Sequence, residues 1–348
     1  MKAAYWYGKR DIRILNAEEP KPGPQDVKIR VKSCGICGSD LQEYLAGPIL
    51  IPTSPHPLTG AKAPLIMGHE FCGEIADVGR EVRGWNVGDR VTADAKMYCM
   101  DCYFCRRGEY QLCIRMAYLG LASGNGAFAE YLCVPSHLLF KLADNMTYEE
   151  GALLEPTSIA VHAVKRSQIR AGDTATVVGA GPIGLLTLQV LAAAGARAIY
   201  AVEFDKNRIN LARKLGADEV LNPKEVDVKK EINGLTNGIG TDFSFECVGA
   251  EESLHSCLEV VRNGGTTVVI GIFKKAVNLS ATDLVYHEKN LIGSTDGDYP
   301  ASIALVSKKK IDVNSLVTSK IKLENIVEGG FKQLENPKGH VKILVSPE

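Results

Sequence analysis

Thr174-Ala-Thr-Val-Val-Gly-Ala-Gly-Pro-Ile-Gly184 is the stretch on which the reading of this chain turns. A short apolar run ends in a turn spaced G-x-G-x-x-G, and Ile183 to Ala196 then reads as a helix that Gly195 brings to an end. Glycine-rich turns are common, so the spacing alone is weak. Here it follows a strand, opens a helix, and is followed nineteen residues later by Glu203 at the end of a second strand, AIYAVEF. That context is the fingerprint of a dinucleotide cradle. Gly179 serves the tight turn, Gly181 lets the backbone approach a pyrophosphate, and Gly184 allows close helix packing. Pro182 and Ile183 begin the helix, whose unpaired N–H groups and dipole favour an anion.

The pattern continues outward from that turn. Asp205 is placed to cap a helix over DKNRINLARKLGA. DFSFECVG and TTVVIGIF supply further strands, with a helix expected near Ser253 to Val261. Repeated β-α-β with buried strands predicts a parallel doubly wound sheet. Upstream the texture is β-rich. VKIRVKS alternates Val27, Ile29 and Val31 with Lys28, Arg30 and Lys32, the period of a half-buried strand. EFCGEIADVG and GDRVTADA continue in that manner, punctuated by glycines. Pro48, Pro52, Pro55 and Pro57 crowd GPILIPTSPHPLTG, which is therefore a loop. After Gly293 a helix near Ala301 to Ser307 and a last strand, VKILVSP, are expected.

At 348 residues the chain is long enough for two cores. A net charge of −1 gives no basic excess to attract nucleic acid or an anionic membrane surface. MKAAYWYGKRDIRI has no apolar signal-peptide core, and no apolar run reaches the roughly 18 residues that a bilayer span needs. A cytoplasmic location follows as an expectation. There thiols stay reduced, and clustered cysteines bind metal rather than form disulfides.

Such a cluster is present. Cys99, Cys102, Cys105 and Cys113 follow the spacing C-x2-C-x2-C-x7-C. Four thiolates form a closed tetrahedral zinc site, and the spacing leaves an iron–sulfur cluster as the alternative. A closed shell offers no position to substrate, so this metal is structural. Chemistry needs a second metal with an open position, and Cys37, His69, Glu70 and Glu155 are the candidate ligands. Singly each reads as packing or solvated surface; their joint appearance ahead of a dinucleotide fold carries the argument. Cys34 and Cys37 have C-x-x-C spacing without a redox fold around them, and His56 lies in the proline loop. Cys72, Cys133, Cys247 and Cys257 are read as packing. Glu203 is placed to accept hydrogen bonds from both adenosine ribose hydroxyls and to repel a 2′-phosphate, which favours NAD over NADP. Arg208, nearby, is the residue that could instead accommodate that phosphate.

GICGSD, GHEF, the GEI-VG-V run to GDRV, the four-cysteine lobe, LLEP and GAGPIG occur together in this order. With them, nearly the whole chain resembles the zinc-dependent medium-chain alcohol and polyol dehydrogenases. The resemblance implies a GroES-like catalytic domain over residues 1–155 and 294–348, with the structural zinc lobe at 95–115. A doubly wound Rossmann NAD-binding domain would span 156–293. It also implies two zinc ions per chain, the catalytic one on Cys37, His69 and Glu155 with Glu70 as an alternative ligand. Ser39 would be the first member of a proton relay. Glutamate in LLEP is the pattern of sorbitol- and butanediol-type members, where simple alcohol dehydrogenases carry cysteine. The proline loop looks like that of the butanediol-type enzymes, although some of these lack the full cysteine set. Asp296-Gly297 stands where polyol dehydrogenases often place Arg-Tyr, which weakens a sugar-alcohol reading. The expected reaction is hydride transfer between a secondary alcohol or vicinal diol and NAD, in a homodimer or homotetramer. A zinc-independent quinone reductase of the same fold and a non-catalytic zinc module on nucleic acid are the rival readings.

Overall fold

Val27, Ile29 and Val31 are fully buried in the strand Asp26–Gly35, so the alternation of VKIRVKS places one face of this strand in a core. In the computed structural model, which describes residues 1–335 and 339–347, that strand organises the first of two units. The first unit comprises Met1–Glu155 and Val317–Glu348, and the second comprises Pro156–Leu316.

In the first unit, Asp26–Gly35 pairs antiparallel with Glu70–Val78, Tyr131–Pro135 and Lys342–Ser346. The sheet runs Leu139–Lys141, Arg90–Ala93, Glu70–Val78, Asp26–Gly35, Lys342–Ser346, Val317–Lys322. Ile29, Phe71, Ile75, Val91 and Leu132 fill its core, joined by Trp6, Tyr44, Phe128 and Phe331. The final strand is thus internal to the sheet. No regular helix or strand interrupts residues 47–64, as five prolines in that stretch dictate. Glu43, itself buried, orders the start of this loop by accepting N–H groups from Ile49 at 3.0 Å, Ile51 at 3.3 Å and Leu50.

The second unit holds a six-stranded, all-parallel sheet. Its order is Glu219–Leu221, Ala198–Val202, Thr174–Val178, Thr241–Glu246, Val261–Val269, Asn290–Gly293. By chain order this is 3-2-1-4-5-6, the doubly wound arrangement. Asp205 caps helix Lys206–Lys214, accepting from Asn207 N and Arg208 N, both at 3.0 Å. The helix expected from Ser253 begins at Glu251 and ends at Val260, and the next strand starts at once with Val261.

The second boundary differs from the expected one. Residues 294–316 stay with the parallel-sheet unit. Asp298 ties them down: its N–H donates to Ser158 O at 3.1 Å, its carboxylate pairs with Lys165, and it caps helix Tyr299–Ser307. Gln189 adds a two-way link, accepting from Asp312 N at 2.7 Å and donating to Asp312 O at 3.3 Å. No helix among the described residues is long and apolar enough to cross a membrane.

Candidate active site and metal centres

Cys37 is the N-cap of helix Gly38–Ala46, so the helix start fixes its position. Asp40, fully buried in the first turn, accepts from Cys37 N at 3.0 Å. The other Asp40 oxygen lies 3.4 Å from Nδ1 of buried His69. Ser39 Oγ stands 3.2 Å from the opposite ring nitrogen, Nε2. Burial works against a charged His69, yet the Asp40 carboxylate and then Cys37 outweigh it and raise its pKa well above the usual value. Glu155, half-buried, senses the charges of His69 and Glu70 and so belongs to the same neighbourhood. Burial pushes its carboxyl up to about 7, against the pull of positive charge on His69 and, more weakly, Lys96 and Lys342.

Glu70, next to His69 in sequence, is committed elsewhere. Both its oxygens accept from buried Lys342 Nζ, at 2.7 and 2.6 Å, and Lys342 also donates to Ile36 O at 3.2 Å. Burial opposes charge on Lys342, and Glu70 more than compensates, raising its pKa. The pair is therefore ionic. Asp40 and Lys342 are the two residues that sequence reading overlooked. Asp40 closes the GICGSD motif and was open to discovery there; Lys342 sits in an ordinary strand pattern and is marked only by its burial.

A metal fits this chemistry. Thiol, imidazole and carboxyl are zinc's usual donors. His69 Nδ1 is buried and makes no directed hydrogen bond among the described residues. With Asp40 beside Nδ1, the tautomer protonated there leaves the Nε2 lone pair for a metal. A carboxyl poised near neutrality needs a cation to ionise it fully. Cys37, His69 and Glu155 do not, however, draw their donor atoms as close together as the lobe cysteines do.

In the lobe, all four sulfurs lie within 4.8 Å of one another, the sole such cluster among the described residues. Cys99 Sγ is 3.5 Å from Cys113 Sγ and 3.9 Å from Cys105 Sγ. A tetrahedral ion bound at ~2.3 Å requires sulfurs about 3.8 Å apart, whereas a disulfide requires about 2.0 Å. The space suits one ion, not a multi-iron cluster. Backbone N–H groups of Cys99 and Arg115 point to Cys113 Sγ, each at 3.4 Å. A backbone N–H at Cys105 holds the Cys102 thiol below its usual pKa.

The glycine turn of the second unit is built as a cradle. Gly179 has φ +93°, and a Cβ there would lie 2.4 Å from Val248 Cγ2. A Cβ on Gly184 would lie 1.8 Å from Gly179 O. Over Gly181 a Cβ would meet nothing within 4 Å, so space is open where a pyrophosphate must approach. Gly181 caps helix Pro182–Ala193, with Pro182 and Ile183 in its first turn. Glu203 accepts from Ala180 N at 3.0 Å through one oxygen, and from Phe204 N at 2.8 Å and Asp205 N at 3.0 Å through the other. The carboxylate thus orders the turn as well as standing at its edge. Arg208 Nη1 is 3.9 Å from Glu203 Oε2, a loose ion pair. His56 Nδ1 accepts from Leu58 N at 3.2 Å within its loop, and Cys72 Sγ donates to Tyr148 O at 2.7 Å, so both are accounted for locally.

Comparison with known proteins agrees with this construction. Residues 182–308 match the zinc-binding dehydrogenase family, and residues 23–144 match the alcohol dehydrogenase GroES-like domain. The (R,R)-butanediol dehydrogenase of Bacillus subtilis strain 168 is 46% identical over 351 residues, covering all of both chains. Sorbitol dehydrogenase from the same organism is 33% identical, covering 100% of this chain and 97% of its own. The crystal structure of 2R,3R-butanediol dehydrogenase from Bacillus subtilis superposes with a TM-score of 0.94 at 45% identity, covering 100% of this chain and 99% of that one. With donors, glycine cradle and full-length similarity in agreement, the chain belongs to the zinc-binding alcohol dehydrogenases, oxidoreductases that join a GroES-like domain to a Rossmann domain.

Proposed function

We propose that this protein interconverts a vicinal diol or secondary alcohol, of the 2,3-butanediol and acetoin type, with its ketone, using NAD and zinc. One observation carries the reading: Cys37, His69 and Glu155 bring a thiol, an imidazole and a near-neutral carboxyl to one neighbourhood, with Ser39 against the imidazole. The diol preference draws its support from the full-length similarity to the Bacillus subtilis butanediol dehydrogenase. Residues 1–155 with the C-terminal strands would form the catalytic domain, and the parallel-sheet unit the cofactor domain.

When bound at Cys37, His69 and Glu155, zinc supplies Lewis acidity that makes an alcohol hydroxyl easier to deprotonate, and NAD supplies the hydride acceptor. The chain supplies the rest. Asp40 orients the His69 ring through Nδ1, leaving Nε2 as donor. Ser39 Oγ accepts the proton that the substrate hydroxyl releases and passes it toward water. Lys342 holds Glu70 in an ion pair, which keeps a second carboxylate from adding uncompensated charge beside Glu155. Gly181 and the helix start receive the pyrophosphate, and Glu203 holds the adenosine ribose and disfavours a 2′-phosphate.

A soluble homodimer or homotetramer in the cytoplasm is the assembly we infer. Asn290–Gly293 is an edge strand of the parallel sheet, and Val285 and Tyr286 beside it in sequence are 73% and 81% exposed. An open strand with apolar neighbours suits a second copy of the chain.

The test is a panel of diols, secondary alcohols, sorbitol and their ketones, followed by NADH absorbance with metal content measured alongside. Highest kcat/KM on butanediol and acetoin is expected, with NADH preferred to NADPH by at least about a hundredfold. Preference for sorbitol would move the substrate to the polyol class, and preference for NADPH would overturn the role given to Glu203.

A further inference from the structure

Glu246 ends the strand Thr241–Glu246 and is fully buried. One of its oxygens, Oε1, accepts three hydrogen bonds: from Val248 N at 2.9 Å, Gly249 N at 2.8 Å and Ser253 Oγ at 2.6 Å. Oε2 is buried and has no partner among the described residues. A buried carboxylate oxygen without a donor is costly, and native folds keep such groups mainly where they serve a site. Its backbone ties neighbouring strands together, because Glu246 O accepts from Ile270 N at 2.9 Å and Gly271 N at 3.1 Å, while Cys247 N donates to Val178 O at 3.0 Å. The residue therefore sits where the carboxyl ends of three adjacent parallel strands meet. In open α/β sheets that crevice is where ligands bind.

What Glu246 holds in place is the turn Cys247–Ala250. That turn carries Val248, which is 53% exposed and lies so close to Gly179 that a Cβ on the glycine would be 2.4 Å from Val248 Cγ2. Gly249, at φ +81°, is fitted equally closely against Ile272 O. Gly271 closes the arrangement: a Cβ there would lie 2.5 Å from Glu246 Oε2 and 2.3 Å from Gly249 N. The carboxylate, the turn and the glycine cradle are thus packed as one piece.

We propose that Glu246 is a positioning residue for the dinucleotide: by holding Val248 N and Gly249 N it sets Val248 against the Gly179 turn and fixes one wall of the cofactor site. The inference rests on the reading of the second unit as the NAD domain. Glu246 touches no reacting atom, and its effect passes through the turn.

The test is NADH binding to the purified full-length enzyme, by fluorescence titration, for the wild type and for Glu246→Ala, Glu246→Gln and Gly271→Ala. Circular dichroism and thermal midpoints accompany each titration. Loss of a carboxylate that accepts three hydrogen bonds should raise the Kd for NADH about tenfold or more in Glu246→Ala. Glu246→Gln keeps an acceptor for Val248 N and Gly249 N and should recover most of that loss. Gly271→Ala leaves Glu246 in the sequence but displaces it, and should raise Kd in the same sense. In steady state the KM for NAD should rise while kcat at saturating NAD is retained, a split that general loss of stability does not produce. A wild-type Kd in folded Glu246→Ala, or in Gly271→Ala should the first variant not fold, overturns the proposal. Failure of the wild type itself to bind NADH would instead remove the cofactor reading beneath it.

Discussion

Cys37, Ser39, Asp40 and His69 show how much chemistry one helix start can arrange. The helix cap fixes Cys37, its first turn brings Asp40 back to Cys37 N, and the same carboxylate reaches toward His69. Cys37→Ala removes the sulfur proposed to bind zinc while leaving the cap backbone and Asp40 in place. Turnover should fall by about a thousandfold or more, because several kcal/mol of Lewis-acid stabilisation are lost. Thermal midpoint should change little, and zinc content should drop by one ion per chain. Activity at the wild-type level would remove Cys37 from the site. The candidate donors were legible in the sequence because thiol, imidazole and carboxylate stand in short, recognisable runs. Their partners were less so. Neighbouring residues of an extended chain point to opposite sides, so Glu70 faces Lys342 although it adjoins His69. A lysine in a strand that alternates with apolar residues reads as solvated until its burial is seen.

The four-cysteine lobe behaves as an element with its own source of order. It contains two short 3-10 turns, Cys105–Arg107 and Tyr110–Leu112, and little buried surface beyond the cysteines and a few aromatic neighbours. A stretch with so small a core depends on its metal for folding free energy. Cys102→Ser should therefore lower the thermal midpoint by roughly 5–10 °C and reduce bound zinc, with kcat per folded molecule nearly unchanged. Loss of kcat at unchanged stability would contradict a structural role. Longer elements were readable from their ends: Asp205 predicted its helix and occupies the cap. Glu219–Leu221 and Asn290–Gly293 were not, since three or four residues carry too little periodicity to stand out. The proline loop is irregular as expected, but its anchor lies outside it, in the Glu43 carboxylate.

Across the whole molecule the parallel sheet was the most legible part, because the glycine turn and its alternating strands and helices follow one another without interruption. The return of the chain to the first unit was less so. Residues 294–316 carry no composition shift, and it is contacts such as those of Ser294, Asp298 and Asp312 that show where they belong. The open edge at Asn290–Gly293 gives the prediction at this scale. Light scattering on the purified protein should report a dimer or tetramer, and Tyr286→Glu with Val285→Asp should shift it to the mass of a single chain. A wild-type monomer at micromolar concentration would remove that surface from consideration.

Lys342 couples the neighbourhood proposed to bind zinc to the order in which the polypeptide is made. Glu70 leaves the ribosome early, yet its counter-ion arrives on the strand Lys342–Ser346, after the entire parallel-sheet unit has been synthesised. A nascent chain ending before that strand carries a carboxylate that has no cation to accompany it into the interior, and a sheet with an unfilled position between Asp26–Gly35 and Val317–Lys322. The amino-terminal strands of the first unit therefore stay unfinished, with Glu70 uncompensated, until the strand Lys342–Ser346 has been made.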